Sequence, residues 1–166
     1  MKRSLAACVL VAWCLAGSAA TSAQSASPAP PNPLVSPVRL TLAESLLAGL
    51  PRRTVTVSEE SGKTESYSGV DLGIVLAKNG APLGDALRGR ALADYVLVCA
   101  SDGYRTVFAL PELDATFVDK IVLLADQLNG APIGTDVGPF RIIVPDEKHR
   151  SRWVRNVIEL DVLSAP

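Results

Sequence analysis

The chain has 166 residues, 16 Lys and Arg against 17 Asp and Glu, and a formal net charge of −1. That balance excludes nucleic acid as a general partner, because such binding needs a basic face. Three cysteines, two of them in the first 14 residues, exclude an intramolecular disulfide once the N-terminal segment is removed.

Lys2 and Arg3 form a short positive segment, Leu5–Gly17 an apolar run, and Ser18–Ala23 a stretch of small residues. This order predicts a cleavable signal peptide over residues 1–23, with cleavage after Ala20 and after Ala23 fitting equally well. The apolar run is shorter than the ~20 residues of a membrane-spanning helix. Leu5-Ala6-Ala7-Cys8 has the form of a lipoprotein processing box, but most of the apolar run follows the cysteine, and the match is read as chance. Cleavage removes Lys2, Arg3, Cys8 and Cys14, leaving 14 cations against 17 acids and Cys99 as the sole thiol. The expected location is periplasmic or secreted, with no membrane association after cleavage.

Residues 24–37 are rich in Pro, Ser and Ala and carry too few large apolar groups to bury, so they read as a linker. A single domain is expected over residues 38–166. Val38–Leu40 starts extended, and Thr41-Leu42-Ala43-Glu44 has the form of a capping box that opens a helix to Leu50, before Pro51. Alternating β-branched residues predict a strand at Thr54–Val57. A turn at Ser61-Gly62-Lys63 and a return strand at Thr64–Tyr67 complete a hairpin. Asp71 is placed as the N-cap of a helix that ends at Gly80 in a left-handed cap.

Strands are then predicted at Asp94–Ala100 and Tyr104–Leu110, joined by a turn at Ser101-Asp102-Gly103. Further strands fall at Ile121–Ala125, Phe140–Val144 and Val157–Leu163, with a turn at Asn129-Gly130-Ala131-Pro132. Strands outnumber helices and no regular βαβ alternation occurs. The fold class is therefore α+β, a mixed, mostly antiparallel sheet with short helices.

Standard catalytic signatures are missing. The sequence has no glycine-rich phosphate loop and no GxSxG elbow. His149 is the only histidine, so a Cys/His zinc site cannot be built within one processed chain. Three constellations carry what chemistry there is. Asp102 and Tyr104 sit at a hairpin turn, which favours a structural role over a binding one. Cys99 lies within an apolar strand, where a buried hydrophobe is the favoured reading over a redox or metal-binding thiol. Lys148, His149, Arg150, Arg152 and Arg155 cluster around Trp153. They read either as a solvated loop anchored by Trp153 or as an anion site, since arginines grip phosphate and carboxylate bidentately.

Taken in order, several segments resemble the oxidoreductase molybdopterin-binding domain family, with its sulfite-oxidase-type fold, over residues 38–163. These are Tyr67-Ser68-Gly69-Val70-Asp71-Leu72, Ala100-Ser101-Asp102-Gly103-Tyr104, Val122-Leu123-Leu124-Ala125 with Asn129-Gly130-Ala131-Pro132, Gly138–Pro145, and Arg152-Trp153-Val154. The resemblance implies an exported α+β domain around a pterin-bound molybdenum, with a cysteine thiolate to the metal upstream of the aromatic-x-Gly element. In this chain that stretch, Thr54–Glu65, contains no cysteine. The resemblance carries Arg150 and Arg152, and more weakly Lys148, over to the cofactor-phosphate region, with Asp102 and Tyr104 beside a pocket. A soft thiolate sets a metal's geometry and redox character. Its absence leads to the expectation of no catalytic residues, no metal ligands and no resident cofactor, although the resemblance admits molybdopterin. The expected function is binding of an anionic ligand or an exported redox protein. The alternative is an active molybdopterin-dependent oxidoreductase with atypical ligation.

Overall fold

The computed structural model describes residues 38–58 and 62–165. The expected signal peptide (1–23), the linker (24–37) and Ser61 of the first turn lie outside the described residues.

Nine strands and one α-helix are found among the described residues. The strands are β1 (Val38–Thr41), β2 (Arg53–Ser58), β3 (Thr64–Asp71), β4 (Tyr95–Ala100), β5 (Arg105–Ala109), β6 (Leu123–Leu128), β7 (Ala131–Pro132), β8 (Arg141–Ile143) and β9 (Val157–Leu163). The helix, α1, spans Leu72–Lys78. The class is α+β, but the strands form two sheets where the sequence suggests one, and every pairing is antiparallel. Four strands run in the order β1-β9-β4-β5, and the other five run β2-β3-β6-β7 with β8 also on β6. The partition is set by pairings between distant segments. Val38 faces Val162 across β1–β9, and Val98 faces Leu160 across β4–β9.

Local turn chemistry accounts for several boundaries. Gly80 adopts φ 92°, which is the left-handed region that a side chain resists. The Ala81 amide donates to the Leu76 carbonyl (3.0 Å) and the Gly80 amide to Ala77 (3.1 Å), so α1 ends in a Schellman motif. Asn129 and Gly130 both take positive φ (51° and 82°), the pair that a type I′ hairpin requires between β6 and β7.

Two expectations are corrected, and a third, Asp71 as an N-cap, holds in position only. The capping box at Thr41 does not form. Thr41 ends β1 opposite Glu159, and the Leu42 amide donates to the Ile158 carbonyl at 2.9 Å. Strand pairing thus takes the backbone that a helix start would have used. Only a 3-10 turn, Glu44–Leu46, follows. Asp71 does occupy the N-cap of α1, yet its carboxylate makes no capping bond. The strand expected at Ile121–Ala125 begins two residues later, because the Val122 carbonyl accepts from the Leu72 amide at 2.8 Å.

Both sheets and α1 contribute to one core. Val96, Phe108, Leu160 and Val162 come from the four-stranded sheet, Tyr67, Leu124 and Ile142 from the other, and Leu72 and Leu76 from the helix. Gly69 shows how closely the backbones approach. It sits at the irregularity between Ser68 and Gly69 where β3 meets β6. A Cβ there would overlap the Leu124 carbonyl oxygen and lie 2.6 Å from the Ala125 Cα. The neighbouring atoms are backbone of a central strand and cannot swing aside. Gly69→Ala is therefore expected to cost about 3 kcal/mol, the upper end for overpacking, read as a lower urea midpoint with an unchanged denaturant slope.

Candidate functional site

The basic segment folds as a 3-10 turn, Arg150–Arg152, followed by Trp153. Trp153 is buried, and its indole N–H donates to the Val144 carbonyl at 2.8 Å. Arg150 is exposed. Its guanidinium lies 4.5 Å over the Trp153 ring, and its Nη2 donates to the Ser58 carbonyl at 2.7 Å. Tyr104 reaches the same loop, its hydroxyl donating to the Ser151 carbonyl at 2.6 Å. Asp102 does not reach it. Its carboxylate accepts the Tyr104 amide at 2.9 Å, as a turn residue does.

Arg152 has a different environment. Its Nη1 donates to Glu112 Oε1 at 3.0 Å and to the Val107 carbonyl at 3.3 Å, its Nη2 pairs with Glu147, and the guanidinium lies 4.5 Å over the Phe108 ring. Lys120 completes the cluster, with Nζ 2.9 Å from Glu112 Oε2 and 3.1 Å from Glu147 Oε1. Two cations and two carboxylates thus neutralise one another under the loop. Burial alone would push the Glu112 carboxyl up, but the hydrogen bonds from Arg152, Lys120 and the Ala109 amide together hold it below its usual value. The anion grip expected of Arg152 is therefore occupied by acidic residues of the same chain. Lys148, His149 and Arg155 are exposed around it.

Cys99 is buried on β4, opposite Arg105 on one side and Glu159 on the other. Its Sγ and carboxylate oxygens of Glu159 and Asp161 lie within 4.8 Å of one another. Arg39 already pairs with Asp161 at 2.7 Å. Burial pushes the Cys99 thiol up; Arg105 and Arg39 oppose that shift, and Asp161 and Glu159 add to it. The acids that matter come from β9, whereas the sequence neighbours Asp94 and Asp102 do not contribute. These donors do not fit a pterin-bound molybdenum. The stretch Thr54–Glu65 offers no sulfur, and the one thiol among the described residues is buried beside carboxylates, where burial pushes it up and away from the thiolate a soft metal needs.

Residues from three of the segments that carry the resemblance do meet. Arg141 Nη1 donates to the Tyr67 hydroxyl at 2.8 Å, and that hydroxyl donates to Glu65 Oε2 at 2.8 Å. Tyr67 also packs edge-on against Trp153, with ring centroids 6.4 Å apart. Glu65 is buried, and its carboxyl is held below its usual value chiefly by the Tyr67 hydrogen bond, with Lys63 and Arg141 assisting against burial.

A cleft of about 480 Å³, which sequence reasoning missed, opens beside α1. Arg53 and Asp71 lie on one wall, and Ile74, Ala77, Leu83 and Val118 are among the apolar groups around it. Arg53 Nη2 is 3.2 Å from Asp71 Oδ2. The two residues are 18 positions apart in sequence, but pairing of Arg53 with Gly69 across β2–β3 brings them together. The sequence offers Asp71 only as a capping residue, with no sign that its side chain is needed elsewhere.

In comparisons with known proteins, no family model matches this chain and no curated protein does.

Two outcomes follow from this geometry. Glu112 titrates below its usual value in the fold, so its stabilising contribution is present above the unfolded-state pKa and is lost as pH falls through the folded-state value. Arg152→Gln removes the main opposition to burial and is expected to move acid unfolding, followed by circular dichroism, to higher pH. Breaking a fully buried pair costs about 3–5 kcal/mol; with Arg152 about a quarter exposed, roughly 2 kcal/mol at neutral pH is expected. Cys99 is expected to react with an aromatic disulfide reagent at about pH 8 at least about tenfold more slowly in the native protein than in urea.

Proposed function

We propose that this chain is an exported, non-catalytic binding domain on a sulfite-oxidase-type scaffold, and that it recognises an acidic surface of an exported partner protein. The observation that carries the reading is the state of the only thiol outside the expected signal peptide. Cys99 lies on a sheet strand, buried and beside two carboxylates, away from the hairpin where the family resemblance calls for a metal ligand. Convergence of Tyr67, Arg141 and Trp153, each from a segment that carries the resemblance, supports the scaffold assignment.

A protein partner is preferred to a small anion because the donors of Arg152 are already taken by Glu112 and Glu147. Lys148 and Arg155 present separate exposed charges on the same segment, to which Tyr104 (47% exposed) and Val107 (50%) are tied through Ser151 and Arg152. Spread charges beside apolar side chains suit steering and docking of a macromolecule more than the convergent grip that a phosphate needs.

Metal and pterin analysis of the protein purified from its native host tests the first half of the reading. No stoichiometric molybdenum and no pterin are expected; stoichiometric pterin-bound molybdenum overturns it in favour of an oxidoreductase with atypical ligation. For the second half, charge reversal at Lys148 and Arg155 is expected to slow association with the partner and to remove its salt dependence.

A further inference from the structure

One sheet edge is left open where the others are blunted. Among the described strands, β1 has four residues, β7 has two and contains Pro132, the Ile142 amide of β8 donates to the Val154 carbonyl at 2.9 Å, and Arg152 donates to the Val107 carbonyl on β5. Short strands, proline and covering groups keep an edge from pairing with another chain. β2 has none of these over residues 54–57. It is six residues long, ends the five-stranded sheet, and pairs with β3 from Arg53 and Gly69 to Ser58 and Thr64 with no irregularity.

The direction of its backbone groups follows from the ladder. The Ser66 amide donates to Asn129 Oδ1 at 2.9 Å, and the Ser66 carbonyl accepts from the Asn129 amide at 2.7 Å, so both groups of Ser66 point away from β2. Ser66 faces Thr56. In an antiparallel ladder this makes them a non-hydrogen-bonded pair, and such pairs recur at every second residue. Thr54, Thr56 and Ser58 therefore turn their amides and carbonyls outward from the sheet. The Ser58 carbonyl agrees with this phase, accepting from Arg150 Nη2 at 2.7 Å. Among the described residues, nothing reaches the amides or carbonyls of Thr54 and Thr56. Both residues are exposed, whereas Val55 and Val57 are buried on the core face.

A row of unpaired backbone groups is a template for one more strand. The best match on the page is the strand itself. Run antiparallel against its own sequence about Thr56, residues 52–60 (RRTVTVSEE) set arginine against glutamate at both ends, Thr54 against Ser58 and Val55 against Val57. The backbone phase fits as well. Thr56 faces Thr56 and Thr54 faces Ser58, so outward amides and carbonyls meet in hydrogen-bonded pairs, and twofold symmetry repeats each contact. A peptide of one charge sign lacks this match, because opposite signs flank the strand. The chain's own segment 24–37 contains Pro28, Pro30, Pro31, Pro33 and Pro37, which have no amide to give to a ladder. We propose that β2 is the dimerisation edge of this protein, pairing antiparallel with β2 of a second copy about Thr56 and joining the two five-stranded sheets into one. The inference does not rest on the partner-binding reading of the basic loop.

Sedimentation equilibrium and amide hydrogen exchange of the purified protein provide the test. A reversible monomer–dimer equilibrium is expected, with a Kd on the order of 10 μM for so small an interface. The Thr54 and Thr56 amides are expected to exchange at least about tenfold more slowly in the dimer than after dilution to monomer, while those of Val55 and Val57, which face β3, stay protected throughout. Thr56→Lys and Thr56→Glu each set like charges against one another on the dyad and are expected to weaken the dimer about tenfold or more, with an equal mixture of the two restoring it. The exchange measurement uses the unaltered protein and does not depend on how the variants fold. The proposal is overturned if the protein stays monomeric at ~1 mM, or if it dimerises while the Thr54 and Thr56 amides still exchange freely. It is equally overturned if those amides are protected at every dilution, as a segment of the same chain would protect them, or if the mixed folded variants associate no better than either alone.

Discussion

A buried carboxylate organises the centre of this domain. Glu65 lies inside β3, where an unpartnered charge would be expelled or neutralised. The Tyr67 hydroxyl meets it from two residues along the same face, and Arg141 reaches that hydroxyl from β8. Because β8 pairs with β6 and β6 with β3, the hydrogen-bond chain spans three strands of one sheet. Trp153 then packs on the Tyr67 ring, and its indole donor is satisfied by Val144. The segment leading into β9 is thereby fixed, and β9 is the strand that holds the other sheet together. Buried polar chains of this kind favour one arrangement strongly, because a half-satisfied version is costly.

The basic loop shows the same economy of charge. Read as sequence, residues 148–155 are a cationic patch. In the fold the most central cation, Arg152, lies above Phe108 between Glu112 and Glu147 and donates to a carbonyl of the edge strand β5. It closes part of an edge that would otherwise offer unpaired backbone groups to other chains. Tyr104 adds a second tie to the loop through Ser151. A local run of like charge therefore mixes a neutralised structural clamp with exposed charges suited to recognition.

Features governed by neighbours along the chain are legible in the amino-acid sequence itself. Gly80 as a left-handed cap, the Asp102-Gly103 turn, the Asn129-Gly130 hairpin and the bounds of β9 all follow from local backbone chemistry or an uninterrupted apolar pattern. The capping box at Thr41 misleads because its competitor, the Ile158 carbonyl, lies more than a hundred residues away. Division into two sheets is hidden for the same reason. At the candidate sites, the burial of Cys99 is readable from Val96-Leu97-Val98, but its acidic company on β9 is not. Nor can the sequence reveal that Glu112 and Glu147 converge on Arg152, or that Arg53 comes to rest beside Asp71, since both depend on how distant segments meet.

The placement of β9 between β1 and β4 also makes the two sheets unequal in what they need to pair. Strands β2, β3, β6, β7 and β8 all lie before residue 144, so the five-stranded sheet has every partner without β9. The four-stranded sheet does not. Its pairing of Arg39 with Asp161 closes a loop of 122 positions, so until that late strand arrives β1 has no neighbour and β4 shows an open side. A chain with β9 unpaired exposes the apolar faces of Val96 and Val98, and its open strand edges are the kind that aggregate.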